Sequence, residues 1–125
     1  MEKQEVGQRG EDLAAAYLEA QGYTVLERNY RFERAEVDLV CFEPEGDAGG
    51  EMVFVEVKTR TGLGFGRPEA AVDEAKQRQI IKAAKAYLYE SRMENARSRF
   101  DVIGVVLQGD EDPEIEHFEN AFWVL

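Results

Sequence analysis

The stretch VFVEVKTR, residues 53–60, carries two messages at once. Val53, Phe54, Val55 and Val57 are the β-branched and aromatic residues that fill a buried strand. Glu56 and Lys58 stand among them at alternate positions and so project from one face of the pleat. An acid and a base two residues apart can share a site only on a strand. The chain supplies its own contrast in Glu74-Ala75-Lys76, inside a helical pattern, where residues two apart point about 200° apart around the axis.

Upstream, EVDLVCFE (36–43) is a second strand-like run, and the turn-rich PEGDAGGE (44–51) joins it to the first. The two strands are expected to pair as an antiparallel hairpin about a turn centred near Asp47 or Ala48, which sets Asp38 opposite Glu56 or Lys58. Alternation puts Glu36 and Asp38 on one face of their strand. Crowded carboxylates repel, and burial raises the cost of keeping them charged, so such a cluster calls for a cation. Hard oxygen ligands suit Mg²⁺ or Mn²⁺; an ion held by Asp38 and Glu56 keeps positions for water and phosphate oxygens. On a solvated face the same residues would be a plain cross-strand salt-bridge cluster, and spacing leaves both readings open.

The rest of the chain builds a sheet around this hairpin. EDLAAAYLEAQG (11–22) places Leu13, Ala14, Tyr17, Leu18 and Gln21 on helical spacing and ends at Gly22. YTVLERNYRF (23–32) reads as a first strand, at an edge. TGLGFGRPE (61–69) is a glycine-rich rim without the Gly-Lys-Ser/Thr of a phosphate loop. VDEAKQRQIIKAAKAYLYESRM (72–93) is the longest helix, with Val72, Ala75, Ile80, Ala83, Ala84, Tyr87 and Leu88 as its buried stripe. FDVIGVVLQ (100–108) and EIEHFENAFWVL (114–125) supply the last strands. Together these predict one α/β domain over residues 1–125, a central mixed sheet flanked by helices.

Composition sets the surroundings. A chain of 125 residues can bury a single core, and 44% hydrophobic with 33% charged residues is the balance of a soluble globular protein. No apolar run approaches the ~20 residues of a membrane span, the polar MEKQEVGQRGED lacks the apolar stretch of a secretory signal, and Cys41 has no partner for a disulfide. A cytoplasmic protein is expected. The net charge of −11 argues against a phosphate partner until its distribution is read. Residues 58–99 hold ten basic against five acidic side chains, whereas DEDPEIEHFE (110–119) alone supplies six acids. A basic surface beside one site on an acidic body is therefore allowed.

The pattern of Asp38, Glu56 and Lys58 on a hairpin, preceded by a helix bearing an acid, resembles the PD-(D/E)xK nuclease superfamily of restriction endonucleases and Holliday-junction resolvases, with Val37 where the superfamily's name has proline. GQRGEDLAAAYLEAQGYTVLERNYR, EVDLV, FVEVKTR, a lysine in the following helix, RFDV and NAF resemble, nearly end to end, the YraN-type family of bacterial proteins. The resemblance implies a restriction endonuclease-like αβββαβ core. It also implies a metal-dependent endonuclease acting on DNA, on branched or single-stranded forms, or else a non-catalytic nucleic-acid-binding or scaffold protein that keeps the fold. A homodimer or a protein partner to deliver substrate is compatible with either.

By the same resemblance Asp38 and Glu56 are metal ligands and Lys58 orients the attacking water or stabilises the transition state. Glu11 stands where resolvase-like relatives keep a further acidic ligand. Arg60 shares the face of Lys58 and can fork onto a phosphate. Lys76 and Arg78 begin a polar helix side, continued by Gln77, Lys82 and Lys85, that can track a nucleic-acid backbone. Each of these charges has an ordinary alternative as a solvated side chain. Asp101 is expected to support the site from the next strand, His117 to be structural, and Phe122 and Trp123 to be core or interface residues.

Overall fold

The computed structural model describes residues 2–44, 49–62 and 68–123. Helix α1 (Lys3–Ala20) is followed by strands β1 (Thr24–Phe32), β2 (Ala35–Glu43) and β3 (Glu51–Thr61). A short 3-10 turn (Pro68–Ala71) leads into helix α2 (Glu74–Glu90), and β4 (Ser98–Gln108) and β5 (Glu111–Phe122) close the chain. The five strands form one sheet in the order β1-β2-β3-β4-β5, antiparallel except for the parallel pair β3–β4. That pair needs a crossover, and α2 supplies it. The result is the mixed α/β, αβββαβ arrangement expected of a restriction endonuclease-like core, with β5 as an added edge strand and β1 at the other edge.

The two helices cover opposite faces. Ala14, Ala15 and Leu18 of α1 pack on Leu39, Cys41, Val53, Val55, Ile103 and Val105. Ile80, Ala83 and Ala84 of α2 pack on Val37, Val40, Met52, Phe54 and Val102. The alternation of β3 is thus visible in its partners, odd residues beneath α1 and even residues beneath α2. Among the described residues no helix is long and apolar enough to cross a membrane.

Helix boundaries differ from the periodic pattern in understandable ways. α1 begins at Lys3, ahead of the apolar stripe that opens at Leu13, and its first turns are polar and solvent-facing. It ends where Gly22 takes a left-handed φ of 95°. α2 starts only after Asp73, whose side chain accepts the Lys76 amide at 2.8 Å as an N-cap. Val72 is buried ahead of the helix, and Ala75, assigned to the stripe, is exposed. Gln21 is likewise exposed. The hairpin turn expected at Asp47 or Ala48 and the 63–67 part of the glycine-rich rim lie outside the described residues, as do Val124 and Leu125.

Two glycines set the packing near the end of β3. A Cβ on Gly10 would lie 1.8 Å from Thr59 Oγ1, so only glycine lets α1 approach β3 this closely. A Cβ on Gly104 would lie 2.3 Å from Pro68 Cγ, and Gly104 is the register partner of Lys58. The 3-10 turn therefore seats on the sheet beside Lys58.

Candidate functional site

The β2–β3 ladder runs from Glu43↔Glu51 to Leu39↔Val55 and stops there. One further step of that register sets Asp38 opposite Glu56, not Lys58. In place of a β2 carbonyl, the Val57 amide donates to Asp38 Oδ2 at 2.8 Å. The strands open at the acids, and the Asp38 side chain fills the gap.

Alternation fails at the same level. In β2, Ala35 and Val37 pack beneath α2, whereas Leu39 and Cys41 pack beneath α1. In β1, Tyr30 and Phe32 pack beneath α2, whereas Arg28 and Asn29 reach across to Glu11 on α1. Asn29 has a φ of 53°, a left-handed conformation that asparagine tolerates, and this turns the strand over. The expectation that Glu36 and Asp38 share a face is corrected by this switch: Glu36 pairs with Arg31 at 3.5 Å, while Asp38 meets β3.

Glu56 is 3% exposed and lies beneath α2. Its Oε2 is 3.6 Å from Lys58 Nζ and 3.3 Å from Lys76 Nζ, and its buried Oε1 has no hydrogen-bond partner. Burial first, then repulsion by Glu56, push the Asp38 carboxyl up to about 8, against the pull of the Val57 amide. With both acids ionised neither has a proton to offer the other. A proton on Asp38 allows a hydrogen bond to Glu56, which further favours holding it. Both ammonium groups attend Glu56, whereas Asp38 has only the Val57 amide, so a proton or a cation at Asp38 relieves the crowding.

The other proposed residues distribute around this pair. Glu11 is buried, and its Oε1 accepts from Arg28 Nε at 3.1 Å and Nη2 at 3.0 Å, while its Oε2 accepts from Asn29 Nδ2 at 2.9 Å. Both of its oxygens are engaged. Arg60 is half-buried, two residues beyond Lys58 on the same strand face. Lys76 turns inward to Glu56, whereas Arg78 stays on the outer face of α2, 3.7 Å from Glu74.

A second polar cluster occupies the α1 face at the start of β4. Asp101 is fully buried and takes Arg99, the His117 ring at 2.7 Å and the Asn120 amide at 2.9 Å. Burial alone would raise the Asp101 carboxyl, but His117, Arg99 and the amide hold it below the usual carboxylate range. Arg99 also bonds Glu43, Glu51, Glu119 and Tyr23, and Tyr17 Oη contacts His117 Nδ1 at 3.2 Å. This placement corrects the expectation for Asp101: Val55, its register partner, faces α1, so Asp101 supports a different cluster from Glu56. Asp101, His117 and Glu119 each bring one ligand atom within 4.8 Å of the others, a spacing compatible with a cation. The Arg99 guanidinium already bridges Asp101 and Glu119 there. The lysine contact from α2 to Glu56 and the Arg99 cluster were not foreseen from sequence. The only signal was the shared parity of Arg99 and Asp101 in RFDV.

Residues 10–105 match the model of the uncharacterised protein family UPF0102. The chain belongs to that family. A UPF0102 protein of Trichlorobacter lovleyi is 49% identical over 95% of this chain and 91% of its own length. Those of Geobacter sulfurreducens, at 49% over 94% and 88%, and of Rhodococcus opacus, at 45% over 94% and 95%, are similar. The match runs from the middle of α1 through most of β4, and so includes Asp38, Glu56, Lys58 and Lys76 of this UPF0102 chain.

Proposed function

We propose that this UPF0102 chain is a metal-dependent nuclease that hydrolyses DNA phosphodiesters, on branched or single-stranded structures, in the cytoplasm. The observation that carries the reading is the Asp38–Glu56 pair: two carboxylates where a ladder opens, Asp38 raised by burial and then by Glu56, with a buried oxygen of Glu56 unpartnered. That donor set fits Mg²⁺ or Mn²⁺, since hard oxygens, a crowded carboxylate pair and an orphaned acceptor are what such an ion satisfies. Bound there, the ion would polarise a phosphoryl oxygen and acidify an attacking water.

The remaining work falls to the chain's own groups. Asp38, anchored by the Val57 amide, and Glu56, backed by Lys58 and Lys76, hold the charge pattern rigid. Lys58, on a strand beside a seated proline, stabilises charge that builds on the phosphate oxygens. Arg60 grips the same phosphate or its neighbour. Glu11, with both oxygens engaged, serves as a positioning residue that ties α1 to the switched segment of β1.

A non-catalytic nucleic-acid-binding or scaffold role has one observation in its favour: two ammonium groups already attend Glu56. Labelled duplex, single-stranded, flap and four-way DNA incubated with Mg²⁺ or Mn²⁺ separates the two. Cleavage of at least one structure by the wild type, lost in Asp38→Asn, Glu56→Gln and Lys58→Ala alike, is expected. Equal cutting by Lys58→Ala would remove Lys58 from catalysis, and silence of the wild type on every substrate would favour the binding role.

A further inference from the structure

We infer that the outer face of α2, with Trp123 at its flank, is a stacking platform for an unpaired base of a single nucleic-acid strand. This rests on the nucleic-acid reading above and specifies which form is held. Trp123 is 60% exposed, directly after the buried end of β5, and Tyr89 is 73% exposed near the far end of the same helix. These are two of three large hydrophobic side chains exposed among the described residues. Lys82 and Lys85 share a surface with both rings, and Arg78 lies beside Trp123. A groove of about 530 Å³ is lined by these three cations, Ile81, Gln77 and Trp123, with Glu74 as its one acid. Lys82 and Lys85 also line the adjoining surface beside Phe32, Tyr89 and the acid Glu90, where Lys82 sits 6.0 Å from the Phe32 ring centroid and bonds Glu33 at 2.5 Å.

Arg78 and Lys82 are each held by one exposed acid, Glu74 and Glu33, in surface pairs that a phosphate can displace at little cost, and Lys85 stands beside them, so cations interleaved with exposed rings can meet a phosphate backbone with bases free to lie flat. Exposed indole beside an apolar wall favours a base face over a base-pair edge, because paired bases keep their faces inside the stack. The platform is also close to the acid pair. Lys76 reaches Glu56 from the first turn of α2, and Glu74, Gln77 and Arg78 of that same turn line the groove on the other side of the helix.

Trp123 is the only tryptophan, so its emission reports on this spot alone. An oligothymidylate of about 12 nucleotides, within the usual span of a single-strand site, is expected to quench it at low salt. A blunt hairpin duplex with as many phosphates, and inorganic polyphosphate with no bases, are expected to leave it nearly unchanged. A matched oligouridylate in the same titration tells whether DNA or RNA is the better source of the stacked base. Trp123→Ala should weaken single-strand binding, read by labelled-oligonucleotide anisotropy, about tenfold, with Trp123→Phe retaining most of it. Lys85→Ala should flatten the salt dependence by about one unit.

Equal quenching by duplex or polyphosphate would overturn the platform. So would undiminished binding by Trp123→Ala, or quenching that grows with protein concentration alone and marks a self-association face. Any of these with metal-dependent cleavage intact would leave the nuclease reading standing. A wild type that neither binds nor cuts nucleic acid would remove both.

Discussion

The two faces of one sheet carry two buried acid clusters that differ in how completely they are satisfied. Beneath α1, Asp101 is enclosed by a guanidinium, an imidazole and a backbone amide, and its carboxyl is held low. Beneath α2, Asp38 has one amide and a repelling neighbour, and its carboxyl is held high. A buried charge with a full set of partners is a structural element; one left short of a charge is where an ion or substrate can contribute most. The same fold therefore shows what a carboxylate looks like when the protein finishes neutralising it and when it does not.

The strongest way to break the comparison is to remove the central cation of the finished cluster. Arg99→Met leaves Asp101, Glu43 and Glu51 buried or half-buried without their shared partner and should cost ~3–5 kcal/mol in urea unfolding. Glu56→Gln, by contrast, should leave the metal-free protein as stable or more so, because it relieves repulsion. Equal losses in both variants would show the clusters to be alike.

Next in size is the response to metal. Mg²⁺ or Mn²⁺ at a hundredfold excess over its dissociation constant should add ~2.7 kcal/mol, read as a rise in melting temperature. Glu56→Gln should abolish the rise, and His117→Phe should keep it. The reverse result would move the ion to Asp101, His117 and Glu119.

The pH response separates the clusters by sign. Asp38, with its folded value raised, binds a proton more tightly in the folded than in the unfolded protein, so metal-free stability declines as pH rises from about 4 towards about 8. Between pH 6 and 8 the decline should be on the order of 1–2 kcal/mol and flatten in Asp38→Asn. Asp101, with its value lowered, contributes stability that is present above its ordinary range near pH 4 and lost only in stronger acid. Denaturant melts across pH 3–9 test both, and a wild-type stability flat from pH 6 to 8 would refute the crowding at Asp38.

The smallest effect belongs to Lys76→Met. Its ammonium is partly exposed, so its loss should change metal-free stability by no more than ~1 kcal/mol, while metal binding tightens a few-fold as a competing cation leaves Glu56. Calorimetric titration of Mn²⁺ reads this, and weaker binding would make Lys76 a supporter of the ion instead of its competitor.

The hairpin, both helices and the succession of elements along the chain were legible because their signals are local: period two in VFVEV, period near four in IIKAAKAYL, glycine after the first helix. Hairpin arithmetic set Asp38 opposite Glu56 or Lys58, and the register of the ladder selects Glu56. What escaped was non-local. Nothing near Asn29 announces that two strands change face together, so Glu36 was assigned a place it does not hold. Lys76 was set on an outer polar side because helical spacing says which residues share a side, not which side meets a sheet. Arg99 gathers acids from β2, β3, β4 and β5, and no short window of sequence contains that set.

The reach of Arg99 also bears on the order of events in folding. Asp38 and Glu56 lie on strands joined by one hairpin, so their repulsion is felt as soon as that hairpin forms. The Arg99 contacts to Glu43 and Glu51 close over 56 and 48 residues and require the α2 crossover to be complete. Contacts of such separation form late, after most chain entropy has been lost. Arg99 should therefore act as a latch: its substitution would leave the refolding rate nearly unchanged and show itself in faster unfolding, the kinetic signature of an interaction absent from the transition state.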